Sequence, residues 1–290
     1  MVQADQLERG AVGGAPGGVP PAPRTRAADA GWRIILHGVA AIGLIMLVVP
    51  TLIIIITSFD TRNFIGFPPA GFALERFDRL VHDQAIIDAA VTSLSVAVAA
   101  VLLDVVLAVP AAIAFVRREF AGKSFLLAFL QIPLMLPGIV IGIALLIFIS
   151  TIGIDLSLGM LVLGHVVLTF PFVLRITMSR MERADIALEE AARNLGASRL
   201  VVFGRIQLPY LAPGIVAGAA FAFLSSFDNL TVSLFLTPVG DMTLPVHLFF
   251  LMRYDLDPVV AAVATVQVLA TLTIIVVGLR VAGEDAIVST

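Results

Sequence analysis

Two carboxylates, Asp104 and Asp228, stand inside long apolar runs of this chain and are its first candidates for chemistry. An ionisable group at membrane depth is costly, so it faces protein or a water-filled cavity, where it can bind a cation, relay a proton or anchor a neighbouring helix. Asp104 lies roughly 18 Å from the nearer end of its run at the helical rise, among Leu and Val. The expectation there is a buried carboxylate hydrogen-bonded between helices. Asp228 lies roughly 24 Å along its own run. Ser225, Asp228 and Asn229 would share one helical face, with Thr231 and Ser233 close behind. That polar stripe suits a translocation pathway.

Other chemistries find little footing. The chain has no cysteine, which removes disulfides, thiolate catalysis and cysteine-bound metal. His37, His82, His165 and His247 are scattered, with no H-E-x-x-H spacing, and no nucleophile elbow or paired catalytic carboxylates occur. His165 reads as a packing or hydrogen-bonding residue. "AGKS" at Ala121 to Ser124 matches the end of a phosphate-binding loop, but Arg117 stands where its first glycine is needed. A membrane run precedes it in place of a strand. This polypeptide therefore does not bind ATP by that motif, no metal site or cofactor is expected on it, and nothing points to a nucleic-acid partner.

The elements that must position these residues are helices in lipid. Of 290 residues, 59% are hydrophobic and only 13% charged, about half the charge of a soluble domain at ~25%. Residues 1–30, rich in Gly, Pro and Ala, read as a disordered tail. Apolar runs follow at about 34–56, 89–116, 125–150, 158–179, 212–236 and 258–280, each long enough to cross ~30 Å of hydrocarbon as a helix. These six spans make residues 31–283 one all-α membrane domain, with 284–290 as a short tail. Pro50, Pro110, Pro133, Pro137 and Pro171 fall inside the runs, where neighbouring helices must satisfy the freed backbone groups. Fourteen of the 18 basic residues lie on the side of the two termini. The positive-inside rule therefore places both termini, and the loop at 181–210, in the cytoplasm. On the other side, residues 59–88 suggest a short interfacial segment, and 237–257 an apolar piece between turns. No internal repeat is visible.

One cytoplasmic stretch, "EEAARNLGASRLVVFGRIQLP" from Glu189 to Pro209, is too charged for its surroundings. Leu188, Ala191, Ala192 and Leu195 recur at helical spacing as a small apolar face. Glu189 and Glu190 can pair with Arg193 on the solvent side. Gly196 offers the left-handed position that ends a helix, and Ser198 an N-cap for a second helix that ends as Pro209 approaches. A short helix, a sharp turn and a second helix result. A small face flanked by charge is the shape of a docking element.

Glu190-Ala191-Ala192, three residues, Gly196, nine residues and Ile206-Gln207-Leu208-Pro209 resemble the EAA signature of ABC importer permeases in both spacing and residue type. From Trp32 onward, "FPPAGF", "PLMLPGIVIGIALL", "GHVVLTFPFVLR", "SSFDNLTVSLFL" and "TLPV" resemble the spermidine/putrescine-type branch. Many of its members carry Asp-Glu where this chain has Asp228-Asn229. The resemblance implies a type I importer permease fold in a bacterial inner membrane, with Glu190, Ala191, Ala192, Gly196, Ile206, Leu208 and Pro209 coupling it to a cytoplasmic ATPase dimer. It further implies ATP–Mg on that ATPase, a second permease, most simply a different chain, and a periplasmic or extracellular substrate-binding protein. The cargo implied is a polyamine or a related small organic solute, passing Asp228, Asn229 and Ser225. The competing reading is an ion-coupled secondary carrier that uses Asp104 and Asp228 as proton or cation sites. Uptake that survives without an ATPase and collapses with the ion gradient would favour it.

Overall fold

Small residues recurring every third or fourth position bring three long helices together between residues 84 and 227. The structure, a computed structural model, describes residues 26–282; the sequence reading of 1–25 and 284–290 as tails falls outside them. Two units divide the chain at Leu52 and Ile53. The first is the greater part of α1 (Arg26–Thr57), which begins inside the segment read as tail and exposes Ile42, Leu44, Met46 and Leu47.

The second unit holds the rest. A turn from Ser58 leads to α2 (Glu75–His82) and α3 (Gln84–Arg117). Asp83 caps α3 by accepting from the amides of Ala85 and Ile86, so the helix starts about five residues before the apolar run does. Then come α4 (Lys123–Gln131), α5 (Gly138–Thr151), α6 (Leu158–Glu182), α7 (Ile186–Asn194), α8 (Arg199–Val202) and α9 (Leu208–Phe227). The chain closes with α10 (Ser233–Leu236), α11 (Leu244–Phe250) and α12 (Val259–Ala282). No strand occurs among the described residues.

Helix α3 turns Ala89, Ser93, Ala97, Ala100, Asp104, Ala108 and Ala112 inward. Helix α9 does the same with Gly214, Gly218, Ala222 and Ser226, one residue per turn. Without a hydrophobic force between helices in lipid, close approach through small residues supplies the packing. An added Cβ at Gly218 would stand 3.1 Å from the Val173 backbone, a measure of how near α6 and α9 run. Ala108, Ala112, Phe115, Val173, Leu174 and Ala222 form the core between α3, α6 and α9, and α12 packs on α9.

Two of the six expected spans differ in form. The run 125–150 is a pair of helices, Lys123–Leu134 and Gly138–Thr151, bent by 107°. Pro137 is extended at φ −57, ψ 132 and has no N–H to continue the ladder, so the bend falls there. The run 212–236 is interrupted as well. Helix α9 stops at Phe227, and residues 228–232 form a turn before α10. Among the described residues, five helices are long and apolar enough to cross a membrane, and six spans result if the bent pair counts as one.

On the side of α2, Asp60 organises the turn. Its carboxylate accepts from Arg62 Nε at 2.7 Å and from the Ala70 amide at 3.1 Å. Buried Arg76 donates to the carbonyls of Thr57 and Arg62. Arg79 pairs with Asp257 at 2.8 Å, tying the short α2, read as an interfacial segment, to the turn before α12.

Candidate functional site

The elbow is built by capping at each of its corners. Asp185 accepts from the Ala187 amide at 2.8 Å and starts α7. At the far end Gly196 takes φ +88; its amide donates to Arg193 O at 2.9 Å, and the Ala197 amide to Ala192 O at 3.0 Å. Those two bonds are the Schellman closure, which needs a left-handed residue at the position of Gly196. The Ser198 hydroxyl then accepts from the Val201 amide at 3.4 Å and starts α8. The second helix does not end at Pro209. A π-helical turn, Phe203–Gln207, carries the chain directly into α9. Pro209 sits in the first turn of α9, just after the π-helical turn.

The faces of α7 sort differently from the expectation in one respect. Leu188, Ala191 and Leu195 are exposed, Leu195 at 90%, and Leu200 adds 82%, leaving an uncovered apolar face. Glu190 and Gly196 are exposed, Ala192 and Ile206 half-buried, Leu208 and Pro209 at the surface. Glu189, however, does not pair with Arg193 towards solvent. It is buried, bonded to Arg117 Nη2 at 2.7 Å and accepting from Gln207 Nε2 at 2.8 Å. Arg117 also donates to Ala184 O at 3.1 Å. Helical spacing offers Glu189 two partners, but burial makes the one that shares its desolvated site decisive. Arg117 and Gln207 are thus elbow residues that sequence spacing missed; no local pattern links positions 117 and 189. Beside them opens a cleft of about 820 Å³ lined by Arg117, Glu189, Glu190, Arg193, Arg199 and Gln207 among others.

The second site lies at the interruption after α9. Asp228 is the C-cap, its amide donating to Leu224 O at 3.2 Å. Its side chain is exposed and makes no hydrogen bond or ion pair among the described residues. Asn229 leaves the helix, so it does not share a helical face with Ser225; its Oδ1 accepts from the Val232 amide at 2.8 Å and caps the next turn. Ser225 is half-buried on α9 and Thr231 exposed. Ser233 departs from the expected stripe. It is fully buried, 3.0 Å from His165 Nε2, while Ser226 lies 2.7 Å from His165 Nδ1. Neighbouring Thr169 places its hydroxyl 2.5 Å from Asp104 Oδ2 and 2.7 Å from His165 O. Asp104 is therefore the hydrogen-bonded carboxylate between α3 and α6 that was expected, with no exposed surface.

Comparison with known proteins adds the following. Residues 104–282 match the family described as binding-protein-dependent transport system inner membrane component. The chain is 33% identical over 230 residues to the spermidine/putrescine transport system permease protein PotC of Haemophilus influenzae, covering 79% of this chain and 89% of that one. It is 32% identical over 241 residues to the putrescine transport system permease protein PotI of Escherichia coli K12, covering 81% and 84%. Among solved structures, a bacterial ABC transporter involved in the import of the acidic polysaccharide alginate superposes with a TM-score of 0.69 at 16% identity, over 88% of this chain and 98% of that one. The MetNI methionine ABC transporter superposes with a TM-score of 0.56 at 18% identity, over 70% and 96%. These structural likenesses concern the fold alone.

Proposed function

The chain belongs to the binding-protein-dependent transport system inner membrane components, a family of ABC importer permeases, and from that premise we propose that it carries a polyamine or a related small organic solute, driven by a separate ATPase. The uncovered apolar face of α7, closed by the left-handed Gly196, carries this reading. A cytoplasmic ATPase dimer seats on that face and on Glu190, Ala191 and Ala192. Ile206, Leu208 and Pro209 pass its motion through the π-helical turn into α9, without a loop to absorb it. ATP–Mg belongs to the ATPase, and this chain performs no bond chemistry. A second permease completes the pathway, and a binding protein delivers the solute from outside. Residues 31–283 serve as the permease domain and 181–210 as its coupling loop.

For the cargo, the support is the polyamine naming of relatives above 30% identity, together with the exposed and unpaired carboxylate of Asp228. A single carboxylate with Asn229 and Ser225 beside it can take a protonated amine in passing without trapping it. The ion-coupled alternative loses support because Asp104 is sealed from solvent.

Two measurements test this. Native mass spectrometry of the co-purified assembly identifies the ligand held by its binding protein; a polyamine supports the cargo, and an anionic or sugar ligand overturns it. Gly196→Val tests the drive. A β-branched residue at that left-handed position costs about 1–2 kcal/mol, and no neighbour within 4 Å adds steric conflict. ATPase association and uptake should both fall, and normal coupling removes the elbow from the mechanism.

A further inference from the structure

The interruption between α9 and α10 contains neither proline nor glycine, since residues 228–232 read Asp-Asn-Leu-Thr-Val. Within it the Asn229 side chain caps the following turn, and a second hold comes from outside the segment. Ser226 precedes the break and Ser233 follows it, and both hydroxyls reach one imidazole, at 2.7 Å from Nδ1 and 3.0 Å from Nε2 of His165.

That geometry favours a break over a straight helix. Seven residues of straight helix would set the two serines about 10.5 Å apart along the axis. The nitrogens of an imidazole are about 2.2 Å apart, so with both bonds made the hydroxyls can be separated by roughly 8 Å at most. The ring therefore favours the broken form. A neutral imidazole donates from one nitrogen and accepts at the other, and each serine hydroxyl can meet either role. All three side chains are at most 3% exposed, so water offers no competing partner.

The bracket is anchored and packed. The backbone carbonyl of His165 shares the Thr169 hydroxyl with Asp104 on α3, fixing α6 at this level. Gly142 on α5 and Gly164 beside His165 on α6 leave room for the broken segment. A Cβ at Gly142 would meet Phe235 at 2.8 Å and the Thr231 carbonyl at 3.0 Å, and one at Gly164 would meet Leu236 and Val232.

We infer that His165 is a positioning residue for transport: by bridging Ser226 and Ser233 it holds the fifth apolar run broken at Asp228–Asn229 and so presents the Asp228 carboxylate to the passing solute. This rests on the reading of Asp228 as part of the pathway.

The test uses the complete reconstituted transporter. The chain has no native cysteine, so Leu230→Cys gives a single thiol in the break and Glu119→Cys a distant control. In the presence of Ser226→Ala or Ser233→Ala, maleimide labelling at position 230 should fall by up to about fivefold, the population shift towards continuous helix expected from one buried hydrogen bond of ~1 kcal/mol. Labelling at 119 should not change. Without the cysteine, each serine variant should lower kcat for radiolabelled putrescine uptake about as much, at unchanged yield of assembled complex. The double variant should be little worse than either single one, because one arm alone cannot span the break. Ser233→Thr, which keeps the hydroxyl, should restore uptake.

Unchanged or raised labelling at 230 overturns the bracket. Reduced labelling with wild-type uptake overturns its role in transport. The pathway reading fails separately, if Asp228→Asn leaves uptake unchanged. If the wild-type complex does not carry putrescine, the cargo reading fails and the labelling alone decides the bracket.

Discussion

Arg117 and Glu189 meet in a 2.7 Å ion pair across 72 residues of sequence, at the junction of α3 and α7. With side chains 16% and 5% exposed, the pair is mostly withdrawn from water. It joins the elbow to the longest helix of the core, and Gln207 extends the junction to the turn that feeds α9. The pair and Gln207 thus connect α7 to α3 and to the turn before α9.

Removing one partner of a buried pair leaves the other charge uncompensated, at a cost of about 3–5 kcal/mol. Arg117→Ala should lower the thermal midpoint of the purified protein clearly and weaken ATPase binding. Arg118→Ala, at an exposed arginine next to it, should change neither. A scanning-fluorimetry comparison of the two variants decides the point, and equal midpoints would refute the role of the pair.

Gly142 and Gly278 make a matched contrast inside helices. A methyl at Gly142 meets a phenylalanine ring at 2.8 Å and a backbone carbonyl at 3.0 Å, whereas one at Gly278 meets nothing within 4 Å. Overpacking at the first site should destabilise by about 1–3 kcal/mol. Gly278→Ala should be neutral or slightly favourable, since Ala is the better helix former by up to ~1 kcal/mol. Denaturation of both variants in detergent checks the ordering.

Hydrogen bonding from Arg62 is the largest influence on Asp60, helped by the Ala70 amide, and holds its carboxyl at about 2, below its ordinary 3.8. A depressed carboxyl stabilises the fold above its unfolded value, and that contribution disappears as pH falls through the folded one. Hydrogen-exchange protection of the Arg62 and Ala70 amides should thus persist down to about pH 4 and fade toward about pH 2. Asp60→Asn should reduce that protection at neutral pH. Protection that is equal in both proteins at pH 7 would refute the assignment.

Neighbours within about four residues decide the part of this protein that can be read from its sequence. The apolar runs mark the helices in lipid, because no backbone group there can go unpaired. The corners of the elbow follow from local capping, which is why Gly196 and Ser198 are legible in the chain itself. Tertiary packing chooses which of several admissible partners each polar side chain takes. Glu189 can satisfy the i, i+4 rule with Arg193, yet burial gives it to Arg117. Ser233 can extend a polar stripe with Asp228, yet it is turned inward to His165, 68 residues away. Local pairing is worth only a few tenths of a kcal/mol in water, while a polar group buried without a partner costs about 1–3 kcal/mol. That greater cost depends on contacts between distant segments, and so those contacts prevail over local spacing.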